Sequence, residues 1–330
     1  MRKIDVCPST LAVGYTDYSP TAIKKLFNGK KASSILDFSY NVESIDFAEV
    51  VNRISVSGVQ EKLSAVLDRA KLIITPKGEQ GRYIIKPTPS YKHLHFREFI
   101  PANEHLTMQI AKQVFKMNVA ENGLVFFANG DMGYITKRFD FDESCNKIKQ
   151  EDFSSLAKKS TFTHGKDFKY TGSYEDVAKL LRDNVSVWQV EISKLFTLIV
   201  FNYLFCNGDA HLKNFSLQQS LFGDYMLSPA YDLMNTSLHV QDEDFALEGG
   251  LIPATEYSEV YTKTGHPCKE DFVTFANRIG VLPSKRDVII KMFTDDNSKI
   301  EELIRRSYLD ERTKRMYIRS YQERKSRFMR

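Results

Sequence analysis

The pattern of apolar and polar positions divides the chain into a β-rich first part and a helical second part. Near the N-terminus, Ser19-Pro20 and Asn28-Gly29 are the start and stop signals of one short helix over 20–27. Three short apolar or β-branched runs follow at 63–67, 71–75 and 83–86. Charges, Pro76, Gly78 and Gly81 separate them, so they predict strands. Leu106, Ile110 and Val114 recur at helical spacing within 103–117. Two more strands are expected at 124–127 and 134–139, split by the turn Asn129-Gly130-Asp131.

After about residue 140 the pattern turns helical. Residues 151–158 read as a helix, and Ser173-Tyr174-Glu175-Asp176 reads as a capping box opening a helix to Arg182. A long, mostly apolar helix is expected over 187–205, then a hairpin from 215–217 and 225–227. From about Lys269 onward three or four helices follow, the last being basic, over 313–330. There is no internal repeat and no low-complexity linker. The fold class expected is α+β with two lobes: a β-rich lobe over 1–136, a hinge at 137–140 and a helical lobe over 141–330.

Composition narrows the class. At 330 residues, 42% hydrophobic and 27% charged, the chain is an ordinary globular protein with a large core. The net charge of +4 is too small to argue nucleic-acid binding by itself. Cys7, Cys145, Cys206 and Cys268 are far apart and form no Cys-x-x-Cys pair, so neither a zinc site nor a disulfide framework is expected, and the cytosol is the default. The N-terminus has no apolar stretch behind its charges. The longest apolar run, 195–205, is too short to span a bilayer, so no membrane association is expected.

One constellation carries chemistry. Asn207-Gly208-Asp209-Ala210-His211-Leu212-Lys213-Asn214 is followed by Pro229-Ala230-Tyr231-Asp232. Kinase-type phosphoryl transfer needs such a set: one carboxylate to orient the attacking hydroxyl, then an amide and a carboxylate to hold Mg²⁺ on the phosphates. Each half alone reads as a helix C-cap or a turn residue; the two together, behind an apolar helix, point to phosphoryl transfer. Lys86 ends an apolar strand, and Glu104 opens the next helix at the position to pair with it. Residues 54–63 place small residues before a strand, where backbone N–H groups can approach phosphate oxygens. With one glycine and no Walker A pattern, a plain β-turn is the favoured reading of that stretch taken alone. His211 lacks a second His or Cys at ligand spacing, so it reads as a loop histidine near the nucleotide. The basic residues of the last helix read as a solvated face.

These residues resemble the HipA family of bacterial serine/threonine kinase toxins. Three blocks carry the resemblance: Ile54-Ser55-Val56-Ser57-Gly58-Val59-Gln60-Glu61-Lys62, Gly208 through Ser216, and Pro229-Ala230-Tyr231-Asp232. Ile85-Lys86-Pro87, Asn103-Glu104-His105 and Arg138-Phe139-Asp140 support it. The resemblance implies a two-lobed protein-kinase-like fold using ATP and Mg²⁺. Asp209 would be the catalytic base, Lys86 the phosphate-binding lysine, and Asn214 and Asp232 the metal ligands. Ser57, Gly58, Val59, Gln60, Glu61 and Lys62 would form the phosphate-side loop. The backbone of Lys137, Arg138 and Phe139 would hold adenine, with His211, Lys213 and Tyr231 closing the site. Ser55 matches a serine that members autophosphorylate, and Ser57 lies two residues on.

About 50 residues precede the loop, which looks more like the short HipT type, whose missing subdomain is supplied by a small HipS protein. The family's substrates are aminoacyl-tRNA synthetases, tryptophanyl- or glutamyl- among them. Its DNA-binding partner is a HipB-like helix-turn-helix antitoxin, so DNA contact is expected only through that complex. The competing readings are a small-molecule phosphotransferase on the same scaffold, a non-catalytic repressor partner, and direct DNA binding by the last helix. Lys86, Asp209, Asn214 and Asp232 are all intact, which disfavours a non-catalytic chain.

Overall fold

The computed structural model describes residues 5–40, 61–76, 78–90, 94–142, 144–220 and 222–330. The expected loop residues Ser55, Ser57, Gly58, Val59 and Gln60 lie outside them; Glu61 and Lys62 lie within. The first part is an antiparallel five-stranded sheet in the order β2-β1-β3-β5-β4. Its strands are β1 (Leu63–Asp68), β2 (Lys71–Ile74), β3 (Tyr83–Pro87), β4 (Asn122–Phe126) and β5 (Met132–Lys137). Strand alternation sets its two faces. Leu63, Ala65, Tyr83, Ile85 and Ile135 pack against the leader and helix α1 (Pro20–Leu26). Leu124, Phe126 and Tyr134 point the other way, toward helix α2 (Ile100–Gln113). Lys86 is opposite Tyr134 in the β3–β5 register, so the step from Ile85 to Lys86 turns a charged side chain onto the α2 face.

Helix α2 starts three residues earlier than the spacing suggests and ends before Met117. Pro101 in its first turn explains the early start, since proline's fixed φ and missing N–H suit that position. Glu104 therefore sits past the first turn, fully enclosed. Every residue from Ile100 to Ala111 is buried, so its polar residues need partners. Three in succession, about 100° apart, find them in three directions. Asn103 exchanges hydrogen bonds with the Asn235 backbone at 2.8 and 3.1 Å. Glu104 faces Lys86, and His105 Nε2 bonds the Ser9 carbonyl at 2.8 Å.

The helical part begins with a correction. Residues 150–152, whose last two were expected in a helix, form β6 (Gln150–Asp152), which pairs with β7 (Ser216–Gln219); β8 (Tyr225–Leu227) completes a three-stranded sheet. Asp152 then caps one helical turn, α3 (Phe153–Leu156), accepting from Ser155 N at 3.0 Å. The strand pairing outcompetes the local helical pattern. A further turn, α4 (Thr161–His164), leads to the capping box of α5 (Tyr174–Asn184), where Ser173 and Asp176 cap one another. Helix α6 (Trp188–Leu204) is largely buried, and its apolar side chains account for its length. Helices α7 (Glu259–Thr264), α8 (Lys269–Arg278), α9 (Pro283–Thr294), α10 (Ser298–Arg306) and α11 (Glu311–Phe328) close the chain.

Helix α11 is a cover as much as a basic face. Tyr317 and Phe328 are fully buried, and buried Arg324 pairs with Asp244. Lys314, Lys325 and Arg327 also find carboxylates within the chain. Among the described residues no helix is long and apolar enough to cross a membrane.

Candidate active site

The sheet and the helical part meet along a cleft, and the loop after α6 supplies its floor. Lys86 Nζ donates to Glu104 Oε1 at 2.7 Å and to Asp232 Oδ1, so one buried ammonium joins the sheet, α2 and the loop after β8. Burial works against the Lys86 charge, yet the two carboxylates outweigh it and raise its pKa. Burial raises the Glu104 pKa to about 7; Lys86 pulls it down, but Asp232 competes for the same ammonium. Burial also opposes the Asp232 charge, but Lys86 and Lys62 hold its carboxyl well below the usual range. Lys62 in turn feels Asp232 first, which favours its proton, but burial and the nearby Lys86 leave its pKa lowered. Two carboxylates sharing the central ammonium, with Lys62 beside Asp232, make a site whose charge balance changes when a polyanion enters.

Asp232 has φ 55°, a left-handed conformation that Asp tolerates better than most residues. That turn aims its side chain back to Lys86. Asn207 stabilises the same segment, donating through Nδ2 to Asn202 Oδ1 at 2.9 Å and to the Asp232 carbonyl at 3.3 Å.

Asp209 opens into the cleft with about half its side chain exposed (49%). Its Oδ1 accepts from the Tyr170 hydroxyl at 2.8 Å, and its backbone carbonyl accepts from Asn214 Nδ2 at 2.8 Å. The latter bond fixes the Asn214 amide and leaves its oxygen as the acceptor toward the cleft. An amide oxygen and the Asp232 carboxylate are hard donors suited to Mg²⁺, which takes few protein ligands and completes its shell with phosphates and water. Among the described residues no cluster of three or more His, Cys, Asp or Glu stands ready as a metal cage.

His211 is buried beneath Asp209, its Nε2 3.8 Å from Asp209 Oδ1 and its Nδ1 without a hydrogen-bond partner among the described residues. Burial lowers its pKa to about 4 despite Asp209, so it is neutral near pH 7. It packs edge-on to the Tyr170 ring. The Tyr231 hydroxyl bonds the Lys213 carbonyl at 2.8 Å and Ser216 Oγ at 2.5 Å, tying the two sequence blocks together.

Two hollows meet here. One of about 650 Å³ runs along the hinge, past Ile84, Lys137, Arg138 and Phe139. The other, of about 540 Å³, contains Asp209, Asn214, His211 and Tyr170. Lys62, Lys86, Lys213, Tyr231 and Asp232 line both. At the hinge, Lys137 N donates to Glu121 O at 2.8 Å and Arg138 N to Arg82 O at 2.9 Å. The Arg138 guanidinium is held by Asp140 at 2.9 and 2.6 Å, and Gln218 Nε2 bonds the Phe139 carbonyl at 2.6 Å.

The structure also brings in residues without a motif of their own: Lys169, Tyr170, Thr236 and Asp242. Thr236 Oγ1 accepts from Gly208 N and donates to Cys206 O, both at 2.9 Å. The Asp242 carboxylate lies against the Gly208 Cα, and burial raises its pKa.

Residues 54–305 match the HipA-like C-terminal domain family. A Haemophilus influenzae protein named "Putative kinase" is 27% identical over 93% of this chain and 91% of its own length. A Sinorhizobium fredii protein named "Putative kinase Y4dM" is 32% identical over 59% of this chain and 48% of its own. Among solved structures, HipA from the Shewanella oneidensis MR-1 toxin–antitoxin system, determined with HipB and operator DNA, superposes with a TM-score of 0.61. The match, at 23% identity, covers 84% of this chain and 65% of that one. The Helicobacter pylori proinflammatory kinase CtkA superposes with a TM-score of 0.51 at 15% identity, over 82% of this chain and 90% of that one. The fold is thus the kinase-like one, and the chain belongs to the HipA-like C-terminal domain family.

Proposed function

As a member of that family, the chain is, we propose, an ATP- and Mg²⁺-dependent serine/threonine protein kinase acting as the toxin of a toxin–antitoxin pair. The observation that carries this reading is the shared wall of the two hollows. Asp209 opens only into one, the hinge lines only the other, and Lys62, Lys86, Lys213 and Asp232 stand between. ATP occupies the hinge hollow with its phosphates at that wall, and the acceptor hydroxyl enters beside Asp209. Asn214 and Asp232 would hold Mg²⁺, which would neutralise phosphate charge when bound. Asp209 takes up the hydroxyl proton as the acceptor oxygen bonds to the γ-phosphorus and the bond to ADP breaks. Lys86, fixed by Glu104, orients the phosphates, so catalysis rests on positioning and charge rather than covalent chemistry.

The finer parts of the proposal are a synthetase substrate, tryptophanyl- or glutamyl-, autophosphorylation on Ser55 or Ser57, a HipS-like small partner and a HipB-like antitoxin. The Shewanella HipA complex with HipB and operator DNA supports the last. The internal ion pairs of α11 favour DNA contact through the antitoxin over contact by that helix. The test is labelled transfer: the purified chain with ATP, Mg²⁺ and a bacterial lysate, beside Lys86→Met. Phosphoserine on a synthetase, absent with the variant, supports the reading. Label confined to metabolites would replace it with a small-molecule phosphotransferase.

A further inference from the structure

Lys169 is a cation of the cleft that the mechanism leaves unused. It lies on a single 3₁₀ turn, Phe168–Tyr170, directly before the tyrosine that bonds Asp209. The residue is 7% exposed and lines the acceptor hollow. Among the described residues it forms no ion pair; its ammonium rests 4.6 Å from the centre of the Tyr170 ring. Enclosing a lysine stem in a cleft with no carboxylate beside the ammonium weakens its charged form, and a cation–π contact offsets only part of that. Burial does lower its pKa, with Asp209 opposing and Lys213 adding to the fall. Such a group is complemented by an anion that arrives.

We propose that Lys169 holds the phosphoryl group in transit, as a cation on the acceptor side facing Lys62 and Lys86 on the nucleotide side. This rests on the kinase reading above. The geometry favours the phosphoryl group over a carboxylate-bearing acceptor. Lys169 lines the acceptor hollow together with Asp209, and Lys213 stands at the wall where the phosphorus must pass between the two hollows. Lys169 makes and breaks no bond. The phosphorus–oxygen bond to ADP breaks, the bond to the acceptor oxygen forms, and the hydroxyl proton goes to Asp209. Over that path the phosphoryl oxygens move away from Lys86, and a second cation on the far side stabilises them when they are least neutralised.

The test uses the full chain with Mg²⁺, as wild type, Lys169→Met and Lys169→Arg. Binding is measured for ADP, ADP with aluminium fluoride as the transferring phosphoryl, and a phosphoserine peptide. Lys169→Met removes a largely enclosed lysine that has no ion-pair partner among the described residues, so its melting temperature should hold or rise. The expected result is ADP affinity within about twofold of wild type, and a loss of about tenfold or more for ADP with aluminium fluoride, the size of one charge-assisted contact. Lys169→Arg should recover part of that loss. Equal changes for both nucleotide states, or none, would overturn the proposal. So would a loss confined to the phosphoserine peptide, which would assign the lysine to a phosphate on the substrate. If the wild type bound neither nucleotide form, the kinase reading itself would fall.

Discussion

The Tyr170 hydroxyl donates a 2.8 Å hydrogen bond to Oδ1 of Asp209. The two residues are 39 apart in sequence, and the bond ties the 168–170 turn to the loop after α6. The proposed base is thereby held by its neighbour on one side and by its own backbone bond to Asn214 on the other.

Tyr170→Phe therefore separates positioning from binding. The ring remains to pack on His211, while the carboxylate loses one donor. Because Asp209 is half exposed, the effect is moderate: kcat should fall by about tenfold or less, with ATP affinity unchanged. Steady-state kinetics beside nucleotide titration reads this. A parallel loss of ATP affinity would mean that Tyr170 shapes the nucleotide site instead.

Gly208 is required for room rather than for backbone conformation. A Cβ placed on it would come 2.3 Å from Cγ of Asp242. Gly208→Ala should destabilise the chain by about 1–3 kcal/mol, as overpacking does. Pairing it with Asp242→Ala should recover most of the loss, since the clash is with that one side chain. Urea unfolding of the four species decides it; additive losses would contradict the contact.

His105 sets a pH dependence of stability. Burial lowers its pKa from 6.5 to about 4, although its bond to the Ser9 carbonyl favours the proton. A histidine with a lowered folded pKa contributes stability above 6.5, and this is lost as pH falls toward 4. Between pH 7.5 and 5 the loss from His105 should be about 2 kcal/mol. His211, shifted the same way, adds to it. Comparing unfolding at the two pH values, wild type should show the larger drop and His105→Gln the smaller. Equal drops would contradict this.

How much of this was legible in the sequence follows from where each signal resides. The apolar run over 83–86 was enough to set Lys86 at a strand end, and the Ser173–Asp176 cap was enough to start α5, because both are local. Asp209, Asn214 and Asp232 stood out because their chemistry constrains spacing within two short blocks. Lys169, Tyr170 and Asp242 carried no such signal; a Lys-Tyr pair and an acidic loop become part of the site only when the 168–170 turn reaches Asp209 and the 236–246 loop packs on Gly208. Glu151 and Asp152 of β6 read as helix because their partner strand, β7, lies some 65 residues away, and pairing at that distance leaves no local mark. The start of α2 was misplaced because Pro101 was not taken as a first-turn residue. Glu104, in consequence, is enclosed more deeply than a helix-opening residue would be.

The central claim is that Asp209 drives phosphoryl transfer to serine. Its most direct test is phosphosite mapping by mass spectrometry of the purified chain after incubation with ATP and Mg²⁺, beside Asp209→Ala. The account predicts phosphate on Ser55 or Ser57 of the wild type and none on the variant. Phosphate that persists in Asp209→Ala, or no phosphate on any protein even with a bacterial lysate added, would contradict it.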